Sequence, residues 1–154
     1  MSEHDRYLAR AVELARQNVQ DGGRPYAAVL VRDGHILAEA VNTLLKTNDP
    51  TDHAELRAIS EATKAQGSPR LDGAIMYASG QPCPMCLALM HMTGVGQVFY
   101  AYSNEDGEPF GLSTAAVYEQ MRLPLAEQSI DIQYRPLPLG AEASLYSVWQ
   151  QRMR

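Results

Sequence analysis

Two cysteines stand three residues apart in the stretch Pro82-Cys83-Pro84-Met85-Cys86, and the chain has no others. Such a pair can form a disulfide, a redox couple or half of a metal site. Pro84 suits the first turn of a helix, where a missing N–H costs no hydrogen bond. On that turn both sulfurs can reach one ion, and a helix N-terminus favours thiolate, the form a metal binds. Residues 1–10 carry no apolar leader, so the chain is read as cytoplasmic. In that compartment a lone cysteine pair points to metal binding or catalysis rather than to a structural bridge. The choice narrows to zinc or redox chemistry.

Two thiolates do not complete a zinc site. A structural zinc takes four protein ligands, and a catalytic one takes three and a water. Of the four histidines, His4 falls in a frayed N-terminus, His35 in a hairpin strand and His91 in the helix after the cysteines. These three are read as surface or packing residues. His53 instead opens a helix just upstream, whose N-terminus can meet that of the cysteine helix at the carboxyl edge of one sheet. Ligands bind at that edge in open α/β folds. Glu55 follows two residues later, off the face that His53 occupies. It suits a general acid/base for a water that zinc has brought to a pKa of about 7, taking its proton and later passing it to a leaving amine.

The elements that must hold these residues follow from periodicity and turn chemistry. Ser2 and Asp5 form a capping-box pattern, and Leu8, Ala11, Val12, Ala15 and Val19 recur at helical spacing up to Gly22-Gly23. Two β-prone runs flank Asp33-Gly34, a type I′ hairpin signal. Residues 43–52 read as loop, and 53–66 as a helix with Ala54, Ala58, Ile59 and Ala62 inward and Gly67 as its stop. A strand at 74–79 leads to the cysteines, a helix begins there and closes at Gly94, and another strand spans 98–102. Residues 103–114 read as loop, 115–121 as a helix, 130–134 as a fifth strand and 141–154 as a terminal helix. This order predicts an α/β domain: a mixed five-stranded sheet with helices on both faces.

With 154 residues, 45% of them hydrophobic and 20% charged, the chain is long enough for one cored domain spanning 1–154. No run is long and apolar enough for a membrane span, so no membrane partner is expected. A net charge of −5 disfavours a nucleic-acid partner, since a phosphate backbone is held largely by Lys and Arg.

His53-Ala54-Glu55 followed by Pro82-Cys83-Pro84-Met85-Cys86 resembles the zinc-dependent cytidine-deaminase superfamily, whose signature is H-x-E…P-C-x-x-C. The resemblance covers essentially the whole chain. It implies a cytidine-deaminase-like three-layer α/β/α fold, Zn2+ held by His53, Cys83 and Cys86, and Glu55 as the catalytic acid/base. The stretches from Gly23 to Val29 and from Asn48 to Glu55 are similar to the purine-acting branch, which holds guanine deaminases and tRNA adenosine deaminases. That likeness implies a small aminated nucleobase or nucleoside as substrate. It also implies contact of Asn42 with the base, a ring-acceptor bond from the Ala54 N–H, and Tyr26 as a wall of the ring site. A homodimer is implied as well, in which the aromatic C-terminal helix with Tyr146 and Trp149 covers the partner's site.

The chain departs from guanine deaminases where they carry Gly-Phe-Asp-Asp and it has Gly111-Leu112-Ser113-Thr114. Ser113 or Thr114 then takes the place of a guanine-reading carboxylate. Three other readings stand beside the guanine-like one. A tRNA adenosine deaminase would need a basic surface, and the terminal helix offers only Arg152 and Arg154. The chain could also deaminate a different amino-heterocycle, or be a deaminase-like fold retained as a zinc-stabilised binding module.

Overall fold

The structure is a computed structural model that describes residues 1–138, 140 and 144–154. The described residues group into two units, Met1–Arg122 and Leu123–Arg154. The first begins with α1 (Glu3–Gln20), started by a reciprocal cap. The Ser2 hydroxyl accepts the Asp5 N–H at 3.0 Å, and the Asp5 carboxylate accepts the Ser2 N–H at 3.2 Å. Ahead of the first full turn, His4 is not frayed: its Nδ1 lies 2.7 Å from the Tyr77 hydroxyl and its ring stacks on Phe99.

The inward stripe of α1 is Ala11, Ala15 and Asn18. Val19, expected inside, is about half exposed (49%). A hydrogen-bonding demand selects the polar residue over the apolar one. The Asn18 Nδ2 donates to the carbonyl oxygens of Arg24 at 2.8 Å and Asn42 at 2.9 Å. The buried Asn42 carbonyl finds its donor there, while the Arg24 carbonyl accepts the Tyr26 N–H as well. Gly23 leaves room for this: a Cβ there would lie 2.5 Å from that same nitrogen.

Strands β1 (Ala27–Arg32) and β2 (His35–Val41) meet across Asp33 and Gly34, with φ of +52° and +75°. Both angles are left-handed, as a type I′ turn requires. A short helix α2 (Leu44–Thr47) interrupts the segment read as loop, and α3 (Ala54–Gln66) ends at Gly67 in the left-handed region. Then come β3 (Ile75–Gly80), α4 (Pro84–Thr93) and β4 (Gln97–Tyr102). The sheet order is β2-β1-β3-β4, with β1 antiparallel to both neighbours and β3 parallel to β4.

Helices cover both faces, giving the expected α/β/α layering. Ala28, Leu30 and Met76 pack with Ala58, Ile59, Cys86 and Met90 on the α3–α4 side. Val29, Val31 and Tyr77 pack with Ala11 on the α1 side. Burial of β1 on both faces explains its unbroken apolar run, where a half-exposed strand would alternate. The alternation of partners also fixes one geometric consequence. The start of β1 lies at the same sheet edge as the ends of β2, β3 and β4.

The stretch 103–114, expected as loop, holds α5 (Asn104–Gly107) and a 3-10 turn (Glu108–Phe110). Ser103 and Asp106 form a second capping box there. Helix α6 (Ala115–Met121) has the expected bounds. The second unit contains a 3-10 turn (Leu125–Glu127) and α7 (Leu145–Arg152), whose Ser144 hydroxyl accepts the Ser147 N–H. The terminal helix thus begins later than expected, and residues 141–143 lie outside the described residues.

The fifth strand is a correction: among the described residues the sheet has four strands, and 130–134 joins no ladder. Its alternation of Ile130, Ile132 and Tyr134 matches a strand, but all three side chains are exposed. A strand exists only through a hydrogen-bonded neighbour, which a local pattern does not supply. No helix among the described residues is long and apolar enough to cross a membrane.

Replacing Asn18 by alanine should cost about 2 kcal/mol, the order expected for stranding one buried acceptor, the Asn42 carbonyl. Val19→Ala should cost under about 0.5 kcal/mol, because a half-exposed side chain loses little burial. Urea unfolding midpoints of the two variants test this ordering.

Candidate metal and catalytic site

The N-termini of α3 and α4 meet at the sheet edge described above. His53 is the N-cap of α3 and Cys83 the N-cap of α4, both with extended backbone, and Pro84 occupies the first turn after Cys83. Cys86 lies in the first turn of α4 and is fully buried. The His53 Nδ1 is 3.4 Å from the Cys83 Sγ and 3.7 Å from the Cys86 Sγ. All three donor atoms lie within 4.8 Å of one another.

These distances test whether the set fits zinc. Bonds of about 2.3 Å to sulfur and 2.0–2.1 Å to nitrogen at tetrahedral angles separate S and N by roughly 3.5 Å. The observed spacings bracket that value, so one imidazole and two sulfurs fit three corners of a zinc tetrahedron. The protonation pattern agrees. The hydrogen bond with Cys86 and the contact with His53 pull the Cys83 thiol down to about 4, despite its burial. The same hydrogen bond between the two sulfurs, with burial, holds the proton on Cys86. The hydrogen bond to Cys83 raises His53 above its ordinary value. Zinc held by these three side chains would displace those protons.

Glu55, the second residue of α3, is 6% exposed. Burial lifts its carboxyl from 4.5 to about 7, with the nearby Cys83 adding to the rise. A carboxyl in that range can both take and give a proton near neutrality.

The site opens into a cavity of about 140 Å³ lined by Arg24, Tyr26, Asn42, His53, Glu55, Gln81, Cys83 and residues 111–114. This falls below the roughly 300 Å³ at which drug-sized pockets begin, and suits a single small heterocycle. Asn42 follows β2, with its side-chain oxygen accepting the Leu44 N–H at 3.0 Å and its backbone N–H donating to the Tyr26 carbonyl at 3.0 Å. Tyr26 precedes β1, and its hydroxyl donates to the Leu112 carbonyl at 3.2 Å. The Tyr26 ring lies over Gly80, where an added Cβ would come within 2.9 Å of it. Arg57 ties α3 to the end of β2 through the Val41 carbonyl at 2.7 Å. The Tyr118 hydroxyl donates to the Pro82 carbonyl, anchoring α6 to the segment that enters the cysteines.

The expected site residues therefore separate. His53, Glu55, Cys83, Tyr26, Asn42, Ser113 and Thr114 share one cavity wall, with Cys86 directly behind it. Ala54 is fully buried at the start of α3, where its N–H belongs to the helix's unpaired first turn. Trp149 lies on α7 in the second unit and is 63% exposed. Arg24, Gln81 and Leu112 line the cavity and were not singled out from the sequence. Arg24 and Gln81 each sit within two residues of a selected position, Tyr26 and Cys83, which was the available signal. A second, larger and mostly apolar cavity of about 640 Å³ lies beside the first. The two share Tyr26, Gln81 and Leu112 as their common wall.

Residues 1–102 match the model of the cytidine and deoxycytidylate deaminase zinc-binding region. The chain is 38% identical to guanine deaminase of Bacillus subtilis (strain 168) over 148 residues, covering 96% of this chain and 94% of that protein. It is 35% identical to the tRNA-specific adenosine deaminase of the same organism over 107 residues, 70% of this chain and 66% of that one. An X-ray structure of guanine deaminase from Bacillus subtilis superposes with a TM-score of 0.86 at 37% identity, covering 97% of this chain and 95% of that structure. With a zinc-binding match across about two thirds of its length, and a donor set that meets at tetrahedral spacing, the chain belongs to the cytidine and deoxycytidylate deaminase family of zinc-dependent hydrolases acting on C–N bonds of cyclic amidines.

Proposed function

We propose that the chain hydrolyses the exocyclic amine of a free aminopurine or its nucleoside, with guanine as the reference substrate, and releases ammonia. The observation that carries this reading is the buried carboxylate of Glu55 facing a ring-sized cavity beside His53, Cys83 and Cys86. Held by those three side chains, Zn2+ supplies a Lewis acid that makes water nucleophilic at neutral pH.

The rest falls to the chain's own groups. Glu55 accepts a proton from the attacking water as oxygen adds to the amine-bearing carbon, and delivers it to the adjacent ring nitrogen. It then takes the second proton from the new hydroxyl and passes it to the amine. The C–N bond breaks, a carbonyl forms and ammonia leaves. A carboxyl at about 7 is matched to both halves of this cycle. Tyr26 walls one side of the ring, Asn42 and the Ala54 N–H bond its edge, and Ser113 and Thr114 stand where guanine deaminases carry a carboxylate.

The whole chain acts as one deaminase in this reading, with α7 serving a second copy in a homodimer. Leu145, Tyr146 and Trp149 support this, since a single chain leaves all three in water at 75%, 84% and 63% exposure. The acidic balance of the chain, −5, favours a small substrate over tRNA.

Ammonia release by zinc-loaded protein across guanine, adenine, cytosine and their nucleosides tests the reading. Glu55→Gln should lower turnover by about 10³-fold and retain one zinc per chain by metal analysis. Cys86→Ala should lose the metal along with activity. Zinc retention with unaltered turnover in Glu55→Gln would remove the acid/base role.

Glu55 also has a signature in the metal-free protein. Its folded-state carboxyl holds a proton up to about pH 7, against 4.5 when solvated, so the folded state binds more protons in that window. Stability from this group is therefore greatest below pH 4.5 and falls as pH rises to 7. Glu55→Gln should match the parent near pH 4.5 and exceed it at pH 8 by on the order of 2 kcal/mol in denaturant titrations after chelation.

A further inference from the structure

The hydrogen bonds already made around the catalytic cavity determine which groups remain free for a substrate. The Asn42 side-chain oxygen accepts the Leu44 N–H, which leaves its NH2 group and one oxygen lone pair for a ligand. Ser113 accepts the Ala115 N–H, which leaves its hydroxyl proton to give. The Gln81 oxygen accepts the Asn104 N–H and keeps one lone pair. Thr114 spends its proton on the Asn104 oxygen and keeps lone pairs, a single neutral acceptor. Glu55 is the one carboxylate among the lining residues, and the reaction uses it.

Against this stands Arg24. It lines the same cavity, and its guanidinium makes no ion pair or hydrogen bond among the described residues. Its backbone is well held: the Arg24 carbonyl accepts the Asn18 amide at 2.8 Å and the Tyr26 N–H at 2.8 Å. The wall thus offers the Asn42 NH2, the Ser113 hydroxyl and the Arg24 guanidinium as donors, and only neutral acceptors besides Glu55: the Tyr26 and Thr114 hydroxyls and the second lone pairs of the Asn42 and Gln81 oxygens. A ring edge that presents N–H groups meets only those neutral acceptors. A carbonyl oxygen or an ionised ring atom finds several, one of them cationic.

We propose that Arg24 is a specificity-determining residue that selects amino-heterocycles carrying an oxo or anionic acceptor on the edge away from the reacting amine. This rests on the deaminase reading above and refines its substrate class. Guanine and 2,6-diaminopurine form the direct comparison, since they differ in an oxo group against an amine at one ring carbon. 8-Azaguanine, whose fused triazole ring is more acidic than guanine's imidazole, supplies the anionic arm.

The test measures kcat/KM for these three with zinc-loaded wild type, Arg24→Gln and Arg24→Glu, at matched zinc content and melting temperature. Arg24→Gln should reduce the guanine-to-diaminopurine ratio at least about tenfold, mainly through KM, with 8-azaguanine falling at least as far as guanine. Arg24→Glu should reduce the ratio further. A ratio unchanged within about twofold in both variants overturns the proposal and leaves the deaminase reading intact. Turnover of none of these bases by wild type would instead sink the purine reading. Calorimetric binding of 8-azaguanine to the zinc-loaded protein then decides the role of Arg24. Affinity about tenfold weaker in Arg24→Gln upholds it, while equal affinity, or no binding to wild type, overturns it.

Discussion

Everything in this molecule is arranged around an electrostatic problem: two sulfurs and an imidazole nitrogen are held within a hydrogen bond's length of one another in a half-buried setting. Two thiolates so close would repel, and only a proton or a cation resolves that repulsion. The fold supplies two helix starts aimed at one sheet edge, which favour negative charge on the cysteines. The sheet's connectivity does the aiming. Because β1 runs against β2 and β3, one edge gathers segments from four separate parts of the chain. The metal set, the acid/base and the ring cavity then fall within one small volume.

The surrounding hydrogen bonds show how that volume is kept in register. Asn18 reaches out of α1 to hold two carbonyls, one on Arg24 and one on Asn42. Arg57 holds the base of α3 to β2, and Tyr118 holds the approach to Cys83. None of these residues need touch a substrate. They convert the rigidity of secondary structure into fixed positions for side chains that do. The character of the wall is a by-product of the same economy: backbone N–H groups in α2, α5 and α6 each occupy one lone pair of a side-chain oxygen that also lines the cavity.

Much of this was legible in the sequence because it rests on local chemistry. The I′ turn at Asp33-Gly34, the cap at Ser2, the Gly67 stop and the inward alanines of α3 are all properties of short windows. The metal set was legible because residue type and spacing restrict it so strongly. What failed to read was non-local. Val19 looked like core, but the inward place went to Asn18 through carbonyls six and twenty-four residues away. Residues 130–134 alternate like a strand, yet no ladder partner is encoded in the segment itself. Arg24 entered only as part of the stretch from Gly23 to Val29, since nothing in its window reveals that it lines a cavity. The capping box at Ser103 and Asp106 was local and could have been found; the surrounding glycines and polar residues masked it as loop.

The width of the catalytic cavity depends on an atom that Gly80 lacks. With no Cβ at that position the Tyr26 ring settles against the strand end, hydroxyl on the Leu112 carbonyl, and becomes the partition between a 140 Å³ chamber and a 640 Å³ one. The partition is a side chain and not backbone, so its removal would leave both the sheet and the metal ligands where they are. Chamber size and reaction chemistry are therefore separable traits in this architecture. A lineage could trade a narrow slot for a roomy one by altering a single aromatic residue, with the machinery for breaking the C–N bond left intact.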